Sequence, residues 1–253
     1  MKRIIALLSV VLLAGCFEIE QSINIEKDLS GTADFHLGVD LEPMVVVMAQ
    51  FAKEMEGNSG PLTAEELAKA KAEFKKSSKT NKTEMPSIEE ASKQMPEGVK
   101  LLDYSVKERE FGMDSDFRFS FENLSKLVNV TLPSGGDDPS KKNVIDTPFE
   151  GLEVADEGDT LTIRTKAQNP AAEVKEQAGD TPKLDDATEK LVKDAFGKMR
   201  VVYRITAPFE VVSHNATRRE GKTLIWDYDM ETFEKMAASG KVDDGQLRVT
   251  YKK

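Results

Sequence analysis

Apolar and polar residues alternate with a period of two near the start of the chain. From Phe17 to Ile25, four of the five odd-numbered positions are apolar, and the positions between them carry Glu, Ser or Asn. Such alternation is typical of a strand with one buried face. Turn-forming residues at 27–31 separate this run from a second one at 32–39. The pattern predicts that residues 17–39 form a β-hairpin.

The same alternation recurs along the rest of the chain and predicts an architecture built from hairpins. Phe117, Phe119 and Phe121 lie on one face of a predicted strand, where they either fill the core or line a cavity. Trp226 has the same two interpretations. The further strands are predicted at residues 99–110, 112–121, 149–155, 160–166, 200–206, 209–214, 223–228 and 246–251.

Apolar residues at helical spacing predict a smaller number of helices. Pro43 in a first turn and the apolar run Met44–Met55 predict one helix. A capping box at Thr63–Glu66 starts a second helix, which continues to about Lys76. Further helical patterns cover residues 87–94, 124–132 (as helix or strand), 181–197 and 229–238. Because hairpins dominate, the predicted fold class is α+β, an antiparallel β-sheet with helices packed on one face.

The beginning of the chain has the features of an export signal. Lys2 and Arg3 give a positive start, and the apolar run at 4–13 is about as long as a signal core. This run is too short for a transmembrane helix, which needs roughly 20 apolar residues. The sequence Leu-Ala-Gly-Cys, which ends at Cys16, resembles the lipobox of bacterial lipoproteins. Residues 1–15 are therefore predicted to be a lipoprotein signal peptide.

Cys16 is the only cysteine of the chain, so it cannot form an internal disulfide. As the last residue of the lipobox, it is predicted to carry a lipid, and several acyl chains anchor a protein stably where one binds marginally. The membrane is thus a predicted partner, and the predicted location is the bacterial cell envelope. Because no aspartate follows the cysteine, the outer membrane is predicted for a Gram-negative host.

The chain is strongly acidic. Its formal net charge is −10, and loss of Lys2 and Arg3 with the signal peptide leaves −12. Binding to nucleic acid needs a cationic surface, and the sequence holds no basic run of that kind. Nucleic acid is therefore excluded as a predicted partner.

The sequence lacks the motifs that mark catalytic and cofactor-binding sites. It holds no G-x-S-x-G elbow, no second cysteine and only two histidines, so no activated nucleophile is predicted. Zinc and calcium motifs and glycine-rich nucleotide loops are also missing. His214 beside Asn215 is interpreted as a turn, in which Asn takes the left-handed conformation and His contacts the backbone. The sequence predicts neither an enzyme nor a bound cofactor or metal.

The C-terminal part carries most of a family resemblance. The run Ile205–Ala216, ITAPFEVVSHNA, is followed by Gly221–Trp226, GKTLIW. Together with the aromatic hairpin around Phe117–Asn123 and the opening strand pair, this order resembles the LppM-type bacterial lipoproteins. The resemblance implies one LppM-like domain over residues 16–253 and a helix-grip-like fold with a cavity between sheet and helix. A charged helical insertion at about residues 55–97 departs from the compact family pattern.

Apolar surface remains as the candidate for binding. Four apolar residues lie at helical spacing on the first predicted helix: Met44, Met48, Phe51 and Met55. Flexible methionine side chains suit a surface that adapts to lipid or to a partner chain, although a helix packed on a sheet has the same stripe. The first hypothesis is a non-enzymatic envelope lipoprotein that binds a lipid or other apolar ligand between the sheet and the Met44–Met55 helix. The alternative is a structural or interaction module with a filled core, whose helices at 62–76 and 183–197 dock another envelope protein.

Overall fold

The structure is a computed structural model that describes residues 16–58, 60–78, 87–132, 147–166, 190, 193–194, 197–239 and 245–253. The predicted signal peptide at 1–15 and most of the predicted helix at 181–197 lie outside these residues. The elements below are those of the described part of the chain.

Eleven strands form two sheets in the described part of the chain. The strands are β1 (Cys16–Ile25), β2 (Gly31–Asp40), β3 (Val99–Arg109), β4 (Gly112–Phe121), β5 (Leu152–Asp156), β6 (Thr160–Thr165), β7 (Arg200–Thr206), β8 (Glu210–His214), β9 (Arg218–Glu220), β10 (Thr223–Asp229) and β11 (Arg248–Lys252). Sheet A has the order β3-β4-β2-β1-β7-β10-β9, and sheet B has the order β5-β6-β11-β8.

The helices are fewer than the strands. They are α1 (Glu42–Met55), α2 (Ala64–Ser78), α3 (Ile88–Ser92), α4 (Met230–Ser239) and a 3₁₀ helix at Leu124–Asn129. The α+β class predicted from the sequence is confirmed. The strands, however, divide between two sheets, and β1 pairs with β7 in parallel, whereas the other pairings of sheet A are antiparallel.

The predicted opening hairpin is confirmed, and its turn shows why the sequence folds there. Asp28 accepts hydrogen bonds from the backbone nitrogen and the hydroxyl of Ser30, at 3.0 and 2.6 Å. Leu29 has a φ of 68°, a conformation that costs energy for a residue with a side chain. Its side chain is buried in the core, and this burial offsets the backbone cost.

The main core lies between the two sheets. The ring of Phe119 on β4 meets the ring of Phe149, just before β5, edge-on at a centroid distance of 6.1 Å. Gln21 on β1 donates from Nε2 to the carbonyl of Pro148 at 2.6 Å. Phe119 and Trp226 are both fully buried, so the aromatic face and the tryptophan are core. Burial of each such side chain contributes about 2–3 kcal/mol to folding.

The helix pair α1–α2 packs at the turn between β3 and β4. The backbone nitrogen of Leu41 donates to the carbonyl of Phe111 at 2.6 Å, and the Phe74 ring lies 6.3 Å from the Phe111 ring. The predicted capping box is present, since Thr63 and Glu66 each accept from the other's backbone nitrogen. The helix pair therefore has a defined place at one end of sheet A.

Candidate functional site

Cys16, the predicted lipid-bearing residue, lies in the last row of cross-strand neighbours at one end of sheet A. The register joins Cys16 to Asp40, Asp40 to Gly112, and Gly112 to Arg109. We call these four residues the terminal row. A Cβ atom on Gly112 would lie 1.9 Å from the carbonyl oxygen of Val39, so the close approach of β4 to β2 requires glycine here. Strand β1 begins at Cys16 itself.

The next row of the sheet is largely apolar. Phe17, Val39 and Met113 are neighbours on β1, β2 and β4. We call these three residues the apolar row. Phe17 and Val39 are half-buried, whereas 37% of Met113 is exposed. The half-buried Phe17 thus directly follows the predicted lipid-bearing residue, and the exposed Met113 lies two strands away in the same row.

The four candidate residues on α1 differ in exposure. Met44 is buried, Met48 and Phe51 are half-buried, and Met55 is 66% exposed. The buried side of the helix is formed by Met44, Val45, Val47 and Gln50. The exposure of the stripe thus increases from the buried Met44 to the exposed Met55. No ligand tests this surface, and it stays a prediction.

A small cavity with a mixed polar and apolar lining lies between the two sheets. It has a volume of about 40 Å³ and is lined by residues that include Ile23, Phe149, Leu152, Ile205 and Leu247. Pockets that enclose a drug-sized ligand are usually about 300–1,000 Å³. Among the described residues, this cavity has room for water but not for an acyl chain.

A larger, polar cavity of about 330 Å³ lies on the opposite face of sheet A. The Nδ1 atom of His36 lies 2.7 Å from Oδ1 of Asp116, and Ser105 donates to the same carboxylate at 3.3 Å. Arg118 in this cavity donates to Asp34 at 2.7 Å. Because the serine bonds the carboxylate and not the imidazole, these three residues do not have the Ser–His–Asp order of a hydrolase triad.

Sequence reasoning missed this polar cluster. The polar positions of β1 and β2 could be identified from the period-two pattern, since His36 and Asp34 alternate with apolar residues. The partner of His36 could not, because Asp116 is 80 residues away in the chain. Only the pairing of β2 with β4 brings the two side chains together.

Ion pairs cover the same face of β7 and β10. Arg200 forms two hydrogen bonds with Asp227, at 2.9 and 2.8 Å, and Arg218 forms a third at 2.9 Å. Hydrogen bonding to Arg200 is the main reason that the pKa of Asp227 is lowered to about 2. Val202, the cross-strand neighbour of Asp227, is fully buried. The arrangement has no exposed reactive group and is structural.

The turn predicted at His214 and Asn215 also has a structural role. His214 accepts a hydrogen bond at Nδ1 from the backbone nitrogen of Ala216, at 3.1 Å, as the interpretation requires. Asn215 does not take the predicted left-handed conformation, because Leu29 is the only non-glycine residue with positive φ in the described part of the chain. The Oδ1 atom of Asn215 instead accepts hydrogen bonds from Nε1 of Trp226 and from the backbone nitrogen of Arg248, both at 2.8 Å.

Metal sites and membrane spans were also sought among the described residues. No three His, Cys, Asp or Glu side chains in these ranges are grouped so that they could hold a metal ion. None of the helices there combines the length and the apolar character that crossing a membrane requires.

Comparison with known proteins finds structural similarity but no match of sequence family. No protein-family model matches the chain, and no curated protein matches it. Among solved structures, the chain is similar to the folded domain of the LppM protein of Mycobacterium tuberculosis, determined by NMR. The sequence identity is 11% and the TM-score 0.41, over 94% of this chain and 89% of that chain. A likeness at this level establishes neither family membership nor a shared function, and membership of the LppM-type family stays a prediction.

Proposed function

We propose that the chain is a non-enzymatic envelope lipoprotein, held at a membrane by lipid on Cys16, which binds a lipid or other apolar ligand on α1. The observation that carries the proposal is the graded exposure of the apolar stripe on this helix. Met48 and Phe51 are half-buried and Met55 is exposed. An apolar ligand bound on this stripe would therefore remove the exposed parts of these side chains from water. Burial of such side chains contributes roughly 25 cal/mol per Å² of apolar area.

The lipid anchor has its own test. We expect the protein purified from membranes to begin at Cys16 and to carry diacylglycerol on that residue. Mass spectrometry of the N-terminal proteolytic peptide measures both features at once. An N-terminus at another residue, or an unmodified Cys16, would contradict the anchor.

The ligand is tested by native mass spectrometry on the mature chain with Cys16→Ser, isolated from the compartment where the wild-type chain resides. We expect lipid at a defined ratio, lost in Phe51→Glu and Met55→Glu because each places a charge in the stripe. Val212→Glu is the matched control, since Val212 is an apolar residue of β8 that is 61% exposed. A ligand-free mass that envelope lipids do not shift would contradict binding.

A docking module is the second candidate, and the small size of the cavity between the sheets favours it. A cavity of about 40 Å³ leaves the core unable to accept a lipid without rearrangement. In this case the exposed end of α1 and the polar face of α2 would contact another envelope protein. We then expect Met55→Glu to dissociate a protein complex of fixed stoichiometry while no lipid is found in the wild-type chain.

A further inference from the structure

The position of Cys16 in sheet A determines which end of the domain a lipid on this residue would hold at a membrane. Cys16 belongs to the terminal row, which crosses β1, β2, β4 and β3. Because β1 begins at Cys16, no flexible residues separate this position from the sheet. A flexible linker of n residues would allow the domain to move by about 5–6 Å × √n, and that freedom is missing here.

The surface next to the terminal row has the chemistry of a membrane contact. Successive residues of a strand are about 3.3 Å apart, and cross-strand neighbours have Cβ atoms about 4.5–5.5 Å apart. Phe17, Val39 and Met113 therefore form a continuous apolar strip that reaches solvent at Met113, which is 37% exposed. A strip in this position would contact the boundary between headgroups and acyl chains.

The turn between β3 and β4 extends the same end of the sheet. Phe111 lies in this turn, and the Nζ atoms of Lys71 and Lys75 lie 5.7 and 5.2 Å from its ring centroid. Because the Phe111 ring is itself buried against Phe74, the ammonium groups of these lysines, and not the ring, suit the interface between bilayer and water.

Ion pairs compensate several carboxylates at this end, although the chain as a whole has a net charge of −10. Lys71 pairs with Glu42, Lys75 with Glu110, and Arg109 with Asp114. An anionic leaflet attracts basic segments and repels acidic ones. The pairing therefore lowers the repulsion that an acidic domain would meet if this end faced such a leaflet.

We propose that sheet A stands end-on on the bilayer, with the apolar row in the interfacial region. The proposal rests on the lipid anchor at Cys16 and adds the orientation of the anchored domain. The partner is the lipid surface itself. This contact is separate from the ligand proposed on α1, because neither Phe17, Val39 nor Met113 belongs to that helix.

The test uses the lipoprotein purified from membranes and reconstituted in vesicles of phosphatidylcholine and phosphatidylglycerol. Cys16 is the only native cysteine and is blocked by its lipid, so Met113→Cys gives one thiol for a polarity-sensitive fluorophore. Glu108→Cys is a second variant, because Glu108 is exposed and is the cross-strand neighbour of Met113. Val212→Cys on β8 is the matched control.

The measurement is quenching by a lipid that carries a nitroxide near its headgroup. We expect at least several-fold stronger quenching at positions 113 and 108 than at position 212, with blue-shifted emission at 113. Equal quenching at all three positions, while flotation shows the protein on vesicles, would overturn the orientation and leave the anchor intact. A protein that does not float and has an unmodified Cys16 would overturn anchor and orientation together.

Discussion

Asn215 shows how one side chain can join segments that are distant in sequence. Its Oδ1 accepts from Trp226 on β10 and from the backbone of Arg248 on β11, and its Nδ2 donates to the carbonyl of Gln246. The sequence predicted the turn and the backbone contact of His214, because both depend on neighbouring residues. It could not predict the bonds of Asn215, because its partners belong to other strands.

Asn215→Ala tests this joining role. Trp226 is fully buried, and an unpaired buried donor costs about 1–3 kcal/mol, so we expect the free energy of unfolding to fall by about 2 kcal/mol. Urea unfolding followed by tryptophan fluorescence measures it. His214→Ala is the control, because it removes one exposed hydrogen bond and is expected to cost less than about 1 kcal/mol. Equal losses in the two variants would contradict the role.

The ionisation of the Asp227 carboxyl makes the stability of the fold depend on pH. Its pKa is about 2 in the folded chain, against an ordinary value of 3.8. Above about pH 4 the carboxylate is ionised in both states and its ion pairs stabilise the fold fully. Between about pH 4 and 2 the unfolded state binds the proton first, so this contribution is lost as pH falls.

Asp227→Asn should therefore lower the free energy of unfolding by about 1 kcal/mol at pH 7, and the difference should shrink towards pH 2. Urea unfolding at pH 7, 4 and 2.5 measures this dependence. Asp159→Asn, in an exposed turn, should change stability by less than about 0.5 kcal/mol at each pH. A difference that does not vary with pH would show that the ion pairs are not its cause.

At the scale of elements, the local ones could be predicted and the long-range pairings could not. The hairpins β1–β2 and β3–β4 follow from alternation and turn residues, and the start of α2 follows from Thr63 and Glu66. The parallel pairing of β1 with β7 joins Ile23 to Ile205, and no local pattern specifies it. The short strand β9 was missed because three charged residues, Arg218–Glu220, carry no apolar alternation.

The docking of the helix pair on the β3–β4 turn depends on Phe111. We expect Phe111→Ala to weaken this contact, because the ring is 9% exposed and touches Phe74 of α2. Substitutions of buried Phe by Ala cost about 3–5 kcal/mol, and a partly enclosed ring at a turn should cost about 2 kcal/mol.

Hydrogen exchange followed by mass spectrometry locates the effect of Phe111→Ala. Protection should fall more in residues 64–78 of α2 than in strands β1 and β2. Met113→Ala, two residues along the same hairpin, is the control, since Met113 is 37% exposed and should leave α2 protected. A uniform loss of protection over sheet A would mean that the ring supports the sheet rather than the helix pair.

At the scale of the whole molecule, the sequence identified the components of the candidate site but not their arrangement. Cys16 and the stripe on α1 follow from local motifs, whereas the exposure that separates Met44 from Met55 follows from the packing of α1. The apolar row required the register of three strands, in which Phe17 and Met113 meet Val39. Residues nearly 100 positions apart thus form one surface.

The shared core indicates that the two sheets unfold as one unit. Buried residues of sheet A and sheet B form a single hydrophobic cluster, and Phe119 of sheet A contacts Phe149 beside sheet B. Strand β7, which pairs with β1 in sheet A, follows β6 of sheet B in the chain. Neither sheet is complete in one continuous half of the chain, and separate unfolding would expose the inner faces of both.

We therefore expect one calorimetric transition for the mature chain with Cys16→Ser. Phe119→Ala on β4 and Ile163→Ala on β6 remove fully buried side chains from different sheets, at a cost of about 2–5 kcal/mol each. Each should lower the same transition by about 5–15 °C, whereas Val212→Ala at the exposed edge should move it by no more than about 2 °C. Two transitions, of which each core variant shifts only one, would instead divide the chain into two domains, because independent cores lose stability independently.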